Sequence, residues 1–147
     1  MNSAFENSKA YAFEDLQMGM EARLVRTVQA REIQSFADIS GDHNPVHLDA
    51  HYAATTPFKT TIAHGMLTAA YISAIFGTDL PGPGCIYVSQ TLNFRAPVRP
   101  GDEVTTLVRI VDLIAAKRRA RFDCICSVNG KTVLEGEAIL MVPGRAA

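Results

Sequence analysis

The sequence predicts an α+β architecture in which about five antiparallel strands curl around one apolar helix. Three observations predict it. The stretch from Thr60 to Thr78 carries no Asp, Glu, Lys or Arg, the second half of the chain alternates apolar and polar residues with period two, and Pro100-Gly101-Asp102 and Asn129-Gly130 mark sharp turns within that half.

Taken in order, Met20 to Val28 reads as a first strand and Ala30 to Ile39 as a helix, because Ile33, Phe36 and Ala37 recur at helical spacing. Gly41 stops that helix. Asp42 to Thr61 is mostly polar, with a short helix expected near Asp49 to Ala54. The apolar helix begins at about Gly65, and Met66, Leu67, Tyr71, Ile72, Ile75 and Phe76 leave it no polar stripe. It should therefore be enclosed on most sides, each large side chain contributing roughly 1.5–3 kcal/mol if fully buried. Its densely apolar part, Met66 to Phe76, would be roughly 16 Å long against a hydrocarbon core of about 30 Å, so it reads as a core helix and not a membrane span.

The strands follow. Ile86, Val88, Leu92 and Phe94 share one face of a half-buried strand, with Gln90 interrupting that face and needing a partner if buried. A second strand runs from Glu103 to about Leu113. A basic turn, Ala115 to Arg119, leads to a third that ends at Val128, and Asn129-Gly130 suits a type I′ hairpin into a fourth, Lys131 to Val142. On this last strand Leu134, Gly136, Ala138, Leu140 and Val142 share a face, and the small Gly136 and Ala138 would leave room for the apolar helix to lie across them. Cys124 and Cys126 share a face with Phe122 and Val128 and read as small core side chains, too awkwardly spaced for a disulfide.

The chain has 147 residues, 48% hydrophobic and 20% charged, which suits one domain spanning residues 1–147. Its net charge of −1 gives no field to draw in polyanions, so nucleic acid is not expected as a partner. Three cysteines are too few for a disulfide scaffold, and Met1 to Asn7 lacks a signal-peptide pattern, so the cytoplasm is the expected compartment.

The most unusual segment is Ser40-Gly41-Asp42-His43-Asn44-Pro45-Val46-His47-Leu48-Asp49-Ala50-His51. The four-residue spacing of His43, His47 and His51 suggests a metal-binding helix face, but Pro45 lets a helix begin no earlier than itself, which removes His43 from that face. No metal is expected. Asp42 and His47 flank the Pro turn, and a folded-back loop could aim both at one water, as a base and a proton shuttle. Equally, Asp42 could cap the turn while His47 and His51 stay at the surface. His64-Gly65 opens the apolar helix, whose start offers unpaired N–H groups, and Gly65 allows a ligand to approach closely. A thioester carbonyl there would be polarised as in an oxyanion hole. The alternative is a small helix start with a satisfied buried histidine. Arg95 and Arg99 are basic residues suited to phosphate, whereas Lys117-Arg118-Arg119 with Arg121, a second candidate cluster, reads first as a solvated hairpin end that discourages edge pairing.

The run Phe36 to Asp49 followed by Ala63-His64-Gly65-Met66-Leu67, with Phe13-Glu14-Asp15-Leu16 and Asn93-Phe94-Arg95-Ala96-Pro97-Val98-Arg99-Pro100-Gly101-Asp102, resembles the signature of MaoC-like dehydratases and R-specific enoyl-CoA hydratases. The resemblance implies a hot-dog fold, an antiparallel sheet wrapped around a long central helix and usually paired as a homodimer. It implies reversible syn hydration of a trans-2-enoyl-CoA to an (R)-3-hydroxyacyl-CoA, with no redox cofactor or metal. Asp42 and His47 would activate water and the Gly65 N–H would bind the thioester oxygen. Asn44, which would support the loop, is placed with His64, Arg95 and Arg99 among the residues that bind substrate, an acyl-CoA or acyl-carrier-protein thioester.

Two other activities share that fold. A hot-dog acyl-CoA thioesterase generally places a carboxylate on or beside the central helix, and Gly65 to Phe76 contains no Asp or Glu. A noncatalytic acyl-thioester-binding subunit could dispense with Asp42 and His47, and both are present.

Overall fold

The computed structural model describes residues 10–145. The first seven residues, read above for a signal peptide, lie outside them. In chain order the elements are β1 (Glu21–Thr27), α1 (Ala30–Ser40), α2 (Pro45–Leu48), α3 (Ala50–Ala54), α4 (Gly65–Thr78), β2 (Ile86–Gln90), β3 (Asn93–Phe94), β4 (Glu103–Ile114), β5 (Arg119–Val128) and β6 (Lys131–Met141). The strands form one antiparallel sheet in the order β1-β4-β5-β6-β2, with β3 also paired to β6.

Local chemistry sets most of these boundaries. Gly41 ends α1 in the left-handed conformation at φ 82°, where a Cβ would be strained. Asn129 and Gly130 both adopt positive φ, 50° and 77°, as a type I′ turn between β5 and β6 requires. Alternation then sorts the side chains: Val104, Thr106, Val108 and Ile110 of β4 and Ala120, Phe122, Cys124 and Cys126 of β5 are buried, while their neighbours face outward. Helix α4 lies on this buried face, with Phe76 packed edge-on against Phe122 at 4.8 Å between ring centroids.

Three expectations need correction. The strand foreseen through Phe94 is two strands, offset by an irregularity between Tyr87 and Ser89. The apolar face foreseen there is not buried: Ile86, Val88 and Phe94 are exposed, Leu92 packs on the core, and Tyr87, also exposed, sets its ring edge-on to Phe76 at 5.3 Å. Gln90 finds its partners locally, accepting from the Tyr87 hydroxyl and donating to the Thr91 carbonyl.

The second correction concerns Gly136, which makes room for Thr91 and not for the helix. A side chain on Gly136 would overlap the Thr91 carbonyl, and the crossing is held by Thr91 N–H to the Glu137 carbonyl at 2.8 Å and by Glu137 N–H to Thr91 Oγ1 at 2.9 Å. The third concerns α4. Leu67, Thr68, Ala69, Tyr71, Ile72, Ile75 and Phe76 are buried, but Met66, Ala70, Ser73, Ala74 and Gly77 leave one stripe of the helix open. Among the described residues no helix is long and apolar enough to cross a membrane.

Candidate active site

The segment between α1 and α4 is polar because its side chains build the turns that its backbone cannot build alone. Asn44 precedes Pro45, which cannot donate, and its Oδ1 accepts from the Val46 N–H at 3.1 Å, capping α2. Asp42 Oδ1 accepts from the Asn44 N–H at 3.2 Å, and Asp49 caps α3 through the His51 and Tyr52 N–H groups. Capping and a chemical role coexist at Asp42, because its second oxygen, Oδ2, points toward His47.

His47 sits on α2 with a side chain only 11% exposed, whereas that of Asp42 is 51% exposed. The Ile62 carbonyl can only accept, so at 2.8 Å it places a proton on His47 Nδ1, which makes Nε2 the acceptor in the neutral ring. Nε2 stands 3.9 Å from Asp42 Oδ2. That is too long for a direct hydrogen bond, yet one water oxygen can lie within reach of both acceptors.

His64 ties this loop to α4. Its ring stacks on that of His47 at 3.8 Å, leans on Phe36 at 4.8 Å, and donates from Nε2 to the Asp42 backbone carbonyl at 2.9 Å. The bond crosses from the N-cap of α4 to a residue far back in the sequence. It sets how far the carboxylate stands from the helix start. His64 is 2% exposed, and its Nδ1 has no protein partner. Asp42, His47 and His64 offer donor atoms within 4.8 Å of one another, a set that could hold a metal ion, with His64 Nε2 and His47 Nδ1 each bonded to a backbone carbonyl.

At the start of α4, His64 provides no side-chain cap, so the Gly65 N–H is available at the positive end of the helix dipole. Gly65 and His47 line the same cavity, of about 510 Å³, whose walls include Phe58, Ile62, Phe94 and Val98. Mostly apolar walls around the His47 imidazole, the Gly65 N–H, Thr68 and Arg95 suit an acyl group with a polar head.

The remaining residues singled out from the sequence are distributed around it. Arg95 lines the cavity and is paired with Glu135 at 2.8 Å. Arg99 holds the loop before α4, donating to Thr60 Oγ1 at 3.0 Å and to the Phe58 carbonyl at 3.2 Å. His43 turns away to Asp38 at 3.2 Å, and Arg121 pairs with Glu137 at 3.0 Å across the hairpin. Sequence reasoning missed Phe58 and Phe94 as cavity walls. Phe94 was assigned to a buried strand face, although it lies inside one of the segments that carried the family resemblance.

Comparison with known proteins gives this geometry its context. The MaoC like domain model matches residues 12–133. The chain is 54% identical over 131 residues to the 3-hydroxybutyryl-CoA dehydratase of Methylorubrum extorquens, covering 89% of this chain and 83% of that one. It is 53% identical to the (R)-specific enoyl-CoA hydratase of Rhodospirillum rubrum, covering 90% and 92%. The unliganded R-hydratase PhaJ1 of Pseudomonas aeruginosa superposes with a TM-score of 0.85 at 44% identity, covering 91% and 86%. The architecture is that of the hot-dog hydratases. By its sequence over most of its length, and by the sheet and helix that carry its site, the chain belongs to the MaoC-like family.

Proposed function

We propose that this protein catalyses the reversible, stereospecific hydration of a trans-2-enoyl-CoA to an (R)-3-hydroxyacyl-CoA. The observation that carries this reading is the His47 Nε2 lone pair facing an Asp42 oxygen at 3.9 Å, with His47 in one cavity with the Gly65 N–H. Similarity to relatives named as hydratase and dehydratase supports it.

The reaction adds one water across C2=C3. A water held by Asp42 and His47 gives up a proton to that pair while its oxygen bonds to C3. The π electrons move toward C1, and the resulting enolate-like oxygen takes the Gly65 N–H at the helix dipole's positive end. The same pair then returns a proton to C2 on the same face. The water's oxygen and both its protons are thereby accounted for, and the chemistry calls for neither an electron carrier nor a Lewis acid. A positioned acid–base group typically supplies about 10² to 10⁴-fold.

Within this reading the substrate is an acyl thioester of CoA or of acyl carrier protein. Arg95, at the cavity, and Arg99 are assigned to its phosphates, with Asn44 and His64 shaping the pocket. A single MaoC-like domain, acting in the cytoplasm as a homodimer or larger homo-oligomer, completes the proposal. The open stripe of α4 and the free edge of β2 suit a second copy.

The test is to incubate purified protein with trans-2-enoyl-CoA esters of several chain lengths. Loss of the conjugated double bond without release of free thiol is expected. Thiol release would indicate a thioesterase, and no change at any chain length would indicate a binding subunit.

A further inference from the structure

Phe94 is a large apolar side chain beside the start of α4, and it is 55% exposed. Its position depends on two glycines. At Gly136 the missing side chain lets the Thr91 backbone cross close over β6, which separates β3 from β2 and delivers Phe94 to the front of the helix. At Gly65 a Cβ would lie 2.5 Å from Phe94 Cε1 and 2.6 Å from Cδ1, so one side of the ring rests on the bare Cα of the first helical residue. Gly65, Phe94 and His47 line one cavity.

An acyl group whose carbonyl takes the Gly65 N–H must therefore run beside this ring. In a trans-2-enoyl thioester the atoms from the carbonyl through C3 are conjugated and coplanar. In the saturated thioester C2 and C3 are tetrahedral. Aromatic pairs gain stability beyond area burial when flat π systems pack together, and a conjugated enoyl plane offers the ring a flat π surface that a saturated chain lacks.

We propose that Phe94 is a substrate-contact residue whose ring packs against the conjugated enoyl plane, so that the site prefers the planar enoyl thioester to its saturated counterpart. The inference rests on the hydratase reading and deepens it, because it names a residue and a shape for which that reading gives no account.

The test compares binding of trans-2-butenoyl-CoA and butyryl-CoA by calorimetry, using protein carrying Asp42→Asn and His47→Gln so that neither is consumed. With Phe94 present, the enoyl ester should bind roughly five- to tenfold more tightly, a preference that Phe94→Tyr keeps and Phe94→Leu reduces to within about twofold. A ratio near one with Phe94 in place, or a ratio unchanged in Phe94→Leu, overturns the proposal. The first of these needs no Phe94 variant to fold. If the unsubstituted protein hydrates enoyl-CoA yet shows a flat ratio, only the role of Phe94 fails, whereas absence of hydration at every chain length removes the hydratase reading itself.

Discussion

The Asp42–His47 loop and the α4–β5 core meet at His64, and they are held in opposite ways. The core is rigid because it is dry: Phe76, Phe122, Ile72, Ile110 and Leu140 are each at most 1% exposed, and their order comes from close packing. The loop has almost no buried apolar surface of its own. It is held by point contacts, namely Asn44 on Val46, His47 on the Ile62 carbonyl, the Ile62 N–H on the Val46 carbonyl, and His64 on the Asp42 carbonyl. The difference shows that the groups proposed to do chemistry can keep water access while borrowing precision from a body that excludes it.

That contrast can be broken from either side. The largest effect should come from the loop. Asp42→Asn and His47→Gln, made singly, should each lower kcat by about 10² to 10⁴-fold, with the protein still folded. Near-normal turnover in either variant would refute the role given to that residue. Breaking the core should do the reverse: Phe122→Ala, which empties the site packed by Phe76, should cost about 3–5 kcal/mol in denaturant unfolding, with turnover per folded molecule retained.

The junction sharpens the comparison. His64→Phe keeps an aromatic ring on His47 but removes the hydrogen bond to the Asp42 carbonyl, worth about 0.5–1.5 kcal/mol in net terms. It should lower kcat several-fold, with a smaller effect on KM. A variant with unchanged kcat would show that the tether does not set the geometry. The smallest effect concerns the thiols. Burial pushes the Cys124 thiol up to about 12 and raises that of Cys126, so both stay protonated at neutral pH. Native protein should therefore be alkylated at neither, as mass spectrometry of peptides after brief iodoacetamide treatment would read, and both should react once the fold is lost.

The sequence was most informative where structure is decided locally. Gly41, Pro45 and Asn129-Gly130 act through their own dihedral preferences, so the end of α1 and the β5–β6 hairpin could be read directly, while Pro45 bounded where a helix could start without revealing the short α2 that starts there. Asp42 and His47 were legible as a pair because a Pro turn brings near neighbours together. Contacts made across the chain were not. That Gly136 admits Thr91, and that Gly65 carries the ring of Phe94, are decided by strands and a helix far apart in sequence, and period-two alternation gives no sign of either. The bond from His64 to the Asp42 carbonyl was hidden for the same reason, since spacing alone leaves the direction of an N-cap side chain undefined. The open stripe of α4 is built of small or uncharged residues, Met66, Ala70, Ser73, Ala74 and Gly77, so no charged side chain marked it as exposed.

The central claim is that one acid–base pair both takes a proton from the water and delivers a proton to C2, from one face of the substrate. Hydration of a trans-2-enoyl-CoA in deuterium oxide, with NMR analysis of the 3-hydroxyacyl product, tests it most directly. The account predicts the (R) configuration at C3 and deuterium at C2 on the same face as the new hydroxyl. Anti addition would require groups on opposite faces and contradict the single-pair mechanism, and an (S) product would contradict the face of C3 that the proposal has the water attack.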